Sequence, residues 1–343
     1  MLCAVGLVAL LSPSVQAWDR GQVHTFAVLP DGSGGPEGIE VDAHGNVYVA
    51  SFGFDAHGPI AATLGQLFIF DRHGHLLRQV SVEGSSPHLL GLHLHSSGKL
   101  LIADFGNAQV LAVDPTSSAS PLPSQVFMTV PVPAASSSLN DITEDAQGNV
   151  YVSDSFQGVI WKTGPSGGVG ASFASSPLLT TTGVPPFGAN GLRFNRAATA
   201  LFVANTGNDT IVKVPAAGGV NTATVFVNSI NGADGLEIDA DDNLWVVANQ
   251  ADEIVVVNPS GKAIAKLGDF GGAVKRGSPV GLLFPASLRF SGNSILVTNL
   301  ALDLRLFNPA FVSVDSDWAA QVTRYTVSRL PARIPRAGGD DPD

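Results

Sequence analysis

Six stretches of this chain repeat one short pattern, and a repeat of this period restricts the possible folds more than any other feature. They read PEGIEVDAHGNVYVASF (36–52), LLGLHLHSSGKLLIADF (89–105), LNDITEDAQGNVYVSDSF (139–156), ANGLRFNRAATALFVANT (189–206), ADGLEIDADDNLWVVANQ (233–250) and PASLRFSGNSILVTNL (285–300). Each begins with a short alternating run such as GIEVD or GLEID. A turn rich in Gly, Asn or Asp follows, then a second run such as VYVAS or LWVVA. Alternation with β-branched residues predicts strands, and the turns predict hairpins. A third strand usually comes next (QLFIF, QVLAV, GVIWK, TIVKV, EIVVV), then a less regular fourth (LLRQV, QVFMTV, ATVFV, AIAKL). No long stretch shows helical periodicity.

The small opening residues are Gly38, Gly91, Asp141, Gly191, Gly235 and Ser287, separated by 53, 50, 50, 44 and 52 positions. Periods near 40–50 residues with four strands each predict a β-propeller. The fold class expected is all-β, a six-bladed β-propeller with four-stranded antiparallel blades. One sheet cannot bury both of its faces, so the ring must close. SLRFS, SILVTN and VTRYTV supply the sixth blade, and VHTFAVL (23–29) is placed to complete it as an outer strand. The Pro/Ser-rich stretches 115–138 and 164–188 read as loops over one face.

Composition agrees. Hydrophobic content is 45%, charged content is only 14%, and 38 Gly and 22 Pro punctuate the apolar runs. The net charge of −11, with no Lys/Arg cluster, argues against nucleic acid and anionic membranes as partners. The run LCAVGLVALL is too short to span a bilayer, and SVQA ends in a small-x-small pattern. Residues 1–17 are therefore expected to be a signal peptide of a secreted or periplasmic protein, although no basic residue precedes the run. A buried first strand is the other reading. The propeller is expected over 18–330, and 331–343 as a flexible tail with little apolar content. Cys3 is the only cysteine, so the mature chain would have no disulfide, no cysteine nucleophile and no Cys–metal site.

In a propeller the innermost strand of each blade lines the central channel, and residues at one register form a ring. The residue before each opening position is Glu37, Leu90, Asn140, Asn190, Asp234 or Ala286. Glu37, Asn140, Asn190 and Asp234 would thus converge as a cation site of two carboxylates and two carboxamides. Oxygen-only sets of this charge suit Ca²⁺, or another hard divalent cation, over softer ions. A second ring is expected at the ends of the second strands: Ser51, Asp104, Asp154, Asn205, Asn249 and Asn299. These would back the ligands or touch substrate, or else simply make turns, as Asp and Asn at strand ends do.

These residues resemble the regucalcin/gluconolactonase family of six-bladed calcium propellers and, more distantly, the paraoxonases. The specific part is PEGIEVD, LNDI, ANGLRF and ADGLEID. The resemblance implies a metal held by Glu37, Asn190 and Asp234, with Asn140 at or near it, and metal-dependent hydrolysis of a lactone or ester. Two positions depart from the pattern. Sugar-lactone members often carry an Arg where Ser138 stands, and paraoxonases place a His near the position of Leu90, whose nearest imidazole here is His88.

Such chemistry needs a carbonyl polarised by the cation and a base for the attacking water. Asp234 is the first candidate, with Asp104, Asp154 and His88 as alternatives. All eight histidines lie at or before His95, so any imidazole must come from the first two blades. His93 and His95, two apart on one strand, are either a transition-metal pair or ordinary channel-side residues. His44, His73 and His75 fall in turns and are expected to be solvated. GxSxG, HExxH and P-loop motifs are absent, which removes serine-hydrolase, zinc-protease and nucleotide readings. The alternatives are a non-catalytic propeller with a structural ion and a ligand- or protein-binding top face, or a lyase or isomerase on the same centre. No membrane insertion of the mature chain is expected.

Overall fold

The computed structural model describes residues 19–335. The expected signal segment, residues 1–17, and residues 336–343 of the expected tail lie outside them. Six antiparallel sheets, each of four strands or more, follow one another around a ring. In blade 1 the strands are Pro36–Val41, Val47–Ser51, Gln66–Phe70 and Leu76–Ser81, from the axis outward. The inner strands of blades 2 to 6 are Leu89–Leu94, Leu139–Glu144, Ala189–Phe194, Ala233–Ile238 and Pro285–Ser291.

The turns between first and second strands are built by one side chain. The Asp42 carboxylate accepts from the backbone N–H groups of His44 and Asn46, the Asn46 amide and the Tyr48 hydroxyl. Asp145 does the same for Gln147, Asn149 and Tyr151, and Asp239 for Asp241, Asn243 and Trp245. A carboxylate that collects four donors fixes the hairpin and the register of the strand after it. The apolar faces of neighbouring blades then pack together. Leu67, Ile69 and Val80 of blade 1, for example, join Leu92, Leu100 and Ile102 of blade 2 in one buried cluster.

The ring is closed by the two ends of the described chain. His24–Val28 is the outermost strand of blade 6 and pairs antiparallel with Thr326–Pro331. Nearer the axis, the Thr298 hydroxyl donates to the Glu37 carbonyl oxygen at 2.8 Å, tying blade 6 to blade 1. Pro331, expected in the tail, ends the strand, and Ala332 and Ile334 pack against the cluster between blades 5 and 6.

Both stretches read as loops contain a strand: the one in 115–138 is the expected QVFMTV, and the one in 164–188 is unexpected. The stretch 164–188 is not all loop: Ala171–Ser175 is the fourth strand of blade 3. Within 115–138, Ser124–Thr129 is the fourth strand of blade 2. Blades 2 and 3 also gain a two-residue parallel fifth strand, Gly168–Val169 and Gly219–Val220. Residues 300–325, between the second and third strands of blade 6, form an insertion with one short helix, Ser316–Ala319. No helix among the described residues is long and apolar enough to cross a membrane.

Candidate metal centre

All six inner strands share an irregularity that positions the site. Pairing with the second strand slips between Pro36 and Ile39, and at the equivalent place in every other blade. Such a bulge re-aims side chains next to a site. Here it falls on the residue pair Glu37–Gly38 and its counterparts. The glycines follow from crowding at the axis. A Cβ on Gly38 would lie 2.1 Å from the Leu90 carbonyl oxygen, and one on Gly235 would lie 2.7 Å from that of Ala286. In the four blades with glycine here the inner strands thus meet backbone to backbone, and the preceding residue carries the side chain; Asp141 and Ser287 occupy the position in blades 3 and 6.

Glu37, Asn140, Asn190 and Asp234 are all buried and line one cavity, with Thr206 and Asn249 beside them. The Asn190 amide donates to Thr206 Oγ1 at 2.9 Å, and the Asn249 amide donates to Asp234 Oδ2 at 3.0 Å. Four buried oxygens in this one cavity have no hydrogen-bond partner: Glu37 Oε2, Asn140 Oδ1, Asp234 Oδ1 and Asn249 Oδ1. Orphaned buried acceptors are rare because each forfeits its bonds to water. Four unpartnered acceptors on residues that line one cavity fit a cation. Among the described residues no three His, Cys, Asp or Glu side chains are grouped to hold a metal. A site here is therefore a mixed carboxylate–carboxamide set, which suits a hard divalent ion.

Electrostatics point the same way. Burial pushes the Glu37 carboxyl well above the usual range, and Asp234 and Asp141 add to the rise. Burial pushes Asp234 up to about 8, with Asp141 again contributing and the Asn249 and Asn190 amides opposing. Without a cation this pair holds protons; a cation would reverse the balance.

The expected second ring divides. Asp104 and Asp154 are fully buried and lie away from the cavity. The Asp104 carboxylate accepts from the Ser86 hydroxyl and backbone N–H and from the Asn107 and Gln109 amides. Asp154 accepts from Ser138 N–H, the Ser137 hydroxyl and the Trp161 indole, among others. Asn205 and Asn299 also anchor backbone and neighbouring hydroxyls. Asn249 does not belong to this ring. Strand pairing puts Ala248 opposite Ala233, as Asp154 is opposite Leu139. Asn249 is equivalent to Phe52, Thr206 and Leu300, and these four line the cavity. Counting 13 positions from Gly38, Gly91, Asp141 and Gly235 reaches Ser51, Asp104, Asp154 and Ala248, so the true register could have been read from the sequence.

His88 stands outside the cavity lining, against the rings of Phe52 and Phe54. Its Nδ1 lies 2.7 Å from the Phe52 carbonyl oxygen, which makes Nδ1 the protonated nitrogen and leaves Nε2 as acceptor. Ser138 is fully buried with its backbone held by Asp154, so the position expected to contact a sugar points into the blade. His44, His73 and His75 are exposed turn residues. His93 and His95 sit at the other end of the inner strand from Leu90. There His93 lies within 4 Å of Glu40 and Glu144, and Arg193 and Arg289 both pair with Glu237 at 2.9 Å. This ion-pair ring closes the far end of the channel. The residues missed by sequence reasoning are Thr206, which holds the Asn190 amide, and the apolar Phe187, Phe284, Leu302 and Leu304, which wall the cavity from loops outside the repeat.

The family profile described as SMP-30/Gluconolactonase/LRE-like region matches residues 85–268. No curated protein sequence matches the chain. Among solved structures, the fold is similar to a calcium-binding protein, regucalcin, from Agrobacterium tumefaciens, with a TM-score of 0.60 and 16% identity over 92% of this chain and 97% of that one. It is also similar to a gluconolactonase from Xanthomonas campestris, with a TM-score of 0.59 and 13% identity over 91% and 89%. Virginiamycin B lyase from Staphylococcus aureus shares the fold at a TM-score of 0.57 and 14% identity over 90% and 99%. At these identities the structural likeness establishes the fold alone.

Proposed function

Because the chain belongs to the SMP-30/gluconolactonase/LRE-like family, we propose that it hydrolyses a lactone or ester at the axial cavity with a divalent cation, Ca²⁺ in the first instance. The observation that carries this reading is the set of four unpartnered oxygens on Glu37, Asn140, Asp234 and Asn249. Glu37, Asn140, Asn190 and Asp234 would hold the ion, with two negative charges to balance it. When bound, it would polarise a carbonyl and stabilise the oxyanion that follows attack.

The chain's own groups have distinct tasks. The Asn249 amide fixes Asp234 Oδ2, so Oδ1 is the oxygen free to take a proton from water. The Thr206–Asn190 bond sets the direction of the Asn190 amide. Asp104 holds Ser86, and the Ser86 hydroxyl receives the His88 N–H, so Asp104 acts as a positioning residue for the His88 segment. His88 Nε2 is available as a second proton acceptor near the cavity mouth. The apolar walls exclude bulk water and strengthen each charge interaction inside.

The test is a lactone and ester panel assayed with added Ca²⁺, after chelation, and with Asp234→Ala. Turnover that requires both the cation and Asp234 supports the proposal. Hydrolysis unaffected by chelation and by Asp234→Ala refutes it. Melting that rises with Ca²⁺ while no substrate turns over would instead support a structural ion in a binding propeller. We also propose export from the cytoplasm, motivated by LCAVGLVALL and SVQA; N-terminal sequencing that finds Met1 on the exported protein would refute cleavage after Ala17.

A further inference from the structure

We propose that the substrate is apolar, a lactone or ester whose alkyl or aryl part lies against the cavity wall, rather than a polyhydroxylated one. This rests on the hydrolase reading and adds the substrate class to it. The polar side chains of the cavity are those of the metal centre together with Thr206 and Asn249. The rest of the lining is hydrocarbon, including Phe52, Leu90, Phe187, Phe284, Leu302 and Leu304. Among the described residues no Lys or Arg lines it, and the acidic residues of its lining are Glu37 and Asp234. Each sugar hydroxyl set against this wall would lose its bonds to water without replacement. An alkyl chain there would gain from leaving water.

The wall continues outward as an arc of aromatic rings. Phe307 packs on Phe54 at 5.4 Å, Phe54 stacks on Phe52 at 4.9 Å, and Phe52 meets Phe105 edge-on at 5.8 Å. Phe105 contacts Phe187 at 6.3 Å, and Phe187 stacks on Phe156 at 5.9 Å. The ends of the arc are open to solvent, with Phe156 45% and Phe307 39% exposed. The rings come from separate segments: the ends of second strands in blades 1, 2 and 3, the loop before blade 4, and the 300–325 insertion. Phe52, Phe54 and Phe105 also belong to the buried cluster that packs blades 2 and 3, but Phe156, Phe187 and Phe307 lie outside it, so blade packing does not require the outer rings of the arc. Phe52 and Phe187 belong to both cavity and arc, so an apolar molecule would meet one continuous surface from mouth to floor.

The experiment uses γ-lactones with alkyl chains of increasing length, and the matching γ-lactams, which resist hydrolysis, as binding probes by calorimetry. For the Ca²⁺-loaded protein, kcat/KM and lactam affinity should both rise about fourfold per methylene until the cavity is full. Glucono-δ-lactone should turn over at least about 100-fold more slowly than the best alkyl lactone, the combined effect of several unsatisfied hydroxyls. Phe187→Ser and Leu304→Ser should each flatten the chain-length series. No turnover of any lactone, with the lactam series still rising, would sink the hydrolase reading and leave the apolar site standing. A flat lactam series, or preference for the sugar lactone, overturns the proposal. So does a flat lactam series with phosphatidylcholine-vesicle binding that Phe156→Ser abolishes, since the arc would then belong to a lipid surface.

Discussion

Removing the cation should make the propeller's stability fall with pH across the range where most carboxylates are indifferent. In the cation-free protein, burial and the neighbouring Asp141 raise Asp234 to about 8, while an unfolded chain would titrate it near 3.9. The folded state therefore binds more protons than the unfolded state between these values. Stabilisation from this group is complete below about pH 4 and is lost as pH rises toward 8. The slope is about 1.4 kcal/mol per pH unit for one proton, so about 2.5 kcal/mol disappears between pH 5 and pH 7. Glu37 shifts in the same direction but shares its proton balance with Asp234, so the pair is counted once. For a domain of this size the loss corresponds to a fall in Tm of roughly 4 °C. The assay is differential scanning fluorimetry of chelated protein at pH 5, 6 and 7, repeated with saturating Ca²⁺ and with Asp234→Asn. The decline should be steepest in the chelated wild type, shallower in chelated Asp234→Asn, where Glu37 alone remains, and absent with Ca²⁺. An equal decline in Asp234→Asn, or Tm of the chelated wild type rising with pH, would refute the reasoning.

Four further outcomes follow from the same geometry. Gly38→Ala should cost about 3 kcal/mol or more by urea denaturation, because its Cβ would sit 2.1 Å from the Leu90 carbonyl oxygen. Asn249→Ala frees Asp234 Oδ2 and should weaken Ca²⁺ binding about tenfold by titration while leaving the fold intact. Asp145→Ala removes the acceptor for the Asn149 and Tyr151 side chains and the turn amides, and should lower stability by about 1–3 kcal/mol in the same denaturation assay. Asp252, raised to about 7 by burial and by Asp315, should make Asp252→Asn more stable than wild type at pH 8 but not at pH 5, measured by Tm.

The ring of Glu37, Asn140, Asn190 and Asp234 was legible because it lies inside the repeat, where register follows from alignment. Blade number and the third strands of blades 1 to 5 were legible for the same reason, and His24–Val28 from the need to close the ring, but the third strand of blade 6 is Thr326–Pro331, shifted from the expected VTRYTV. The bulge in each inner strand was not legible, since a slip of pairing leaves no composition signature: it occurs at Gly38, Gly91, Gly191 and Gly235 and equally at Asp141 and Ser287. Ala171–Ser175 escaped because ASFAS carries little apolar content and only its pairing with Val159–Thr163 makes it a strand. Asn249 was assigned to the wrong ring because blade 4 has one extra residue between Gly191 and Asn205, and matching Asn to Asn followed that spacing. The walls of the cavity lie in loops and in the 300–325 insertion. Such segments have no repeat to align against, so Phe187, Leu302 and Leu304 could be found only in three dimensions.

The pairing of His24–Val28 with Thr326–Pro331 has a consequence for how the chain is made. The first strand of the propeller to be synthesised finds its partner only after some three hundred further residues exist. Contacts at such separation carry the largest loop-closure cost and slow folding. Until then blade 6 is incomplete and the growing array has an open edge, so a chaperone or translocase would meet an unfinished circle. The axial cavity inherits this timing, because it needs Glu37 from the first blade and Leu302 and Leu304 from the last. Capture of the cation would then be among the final events of folding, and its kinetics would report directly on ring closure.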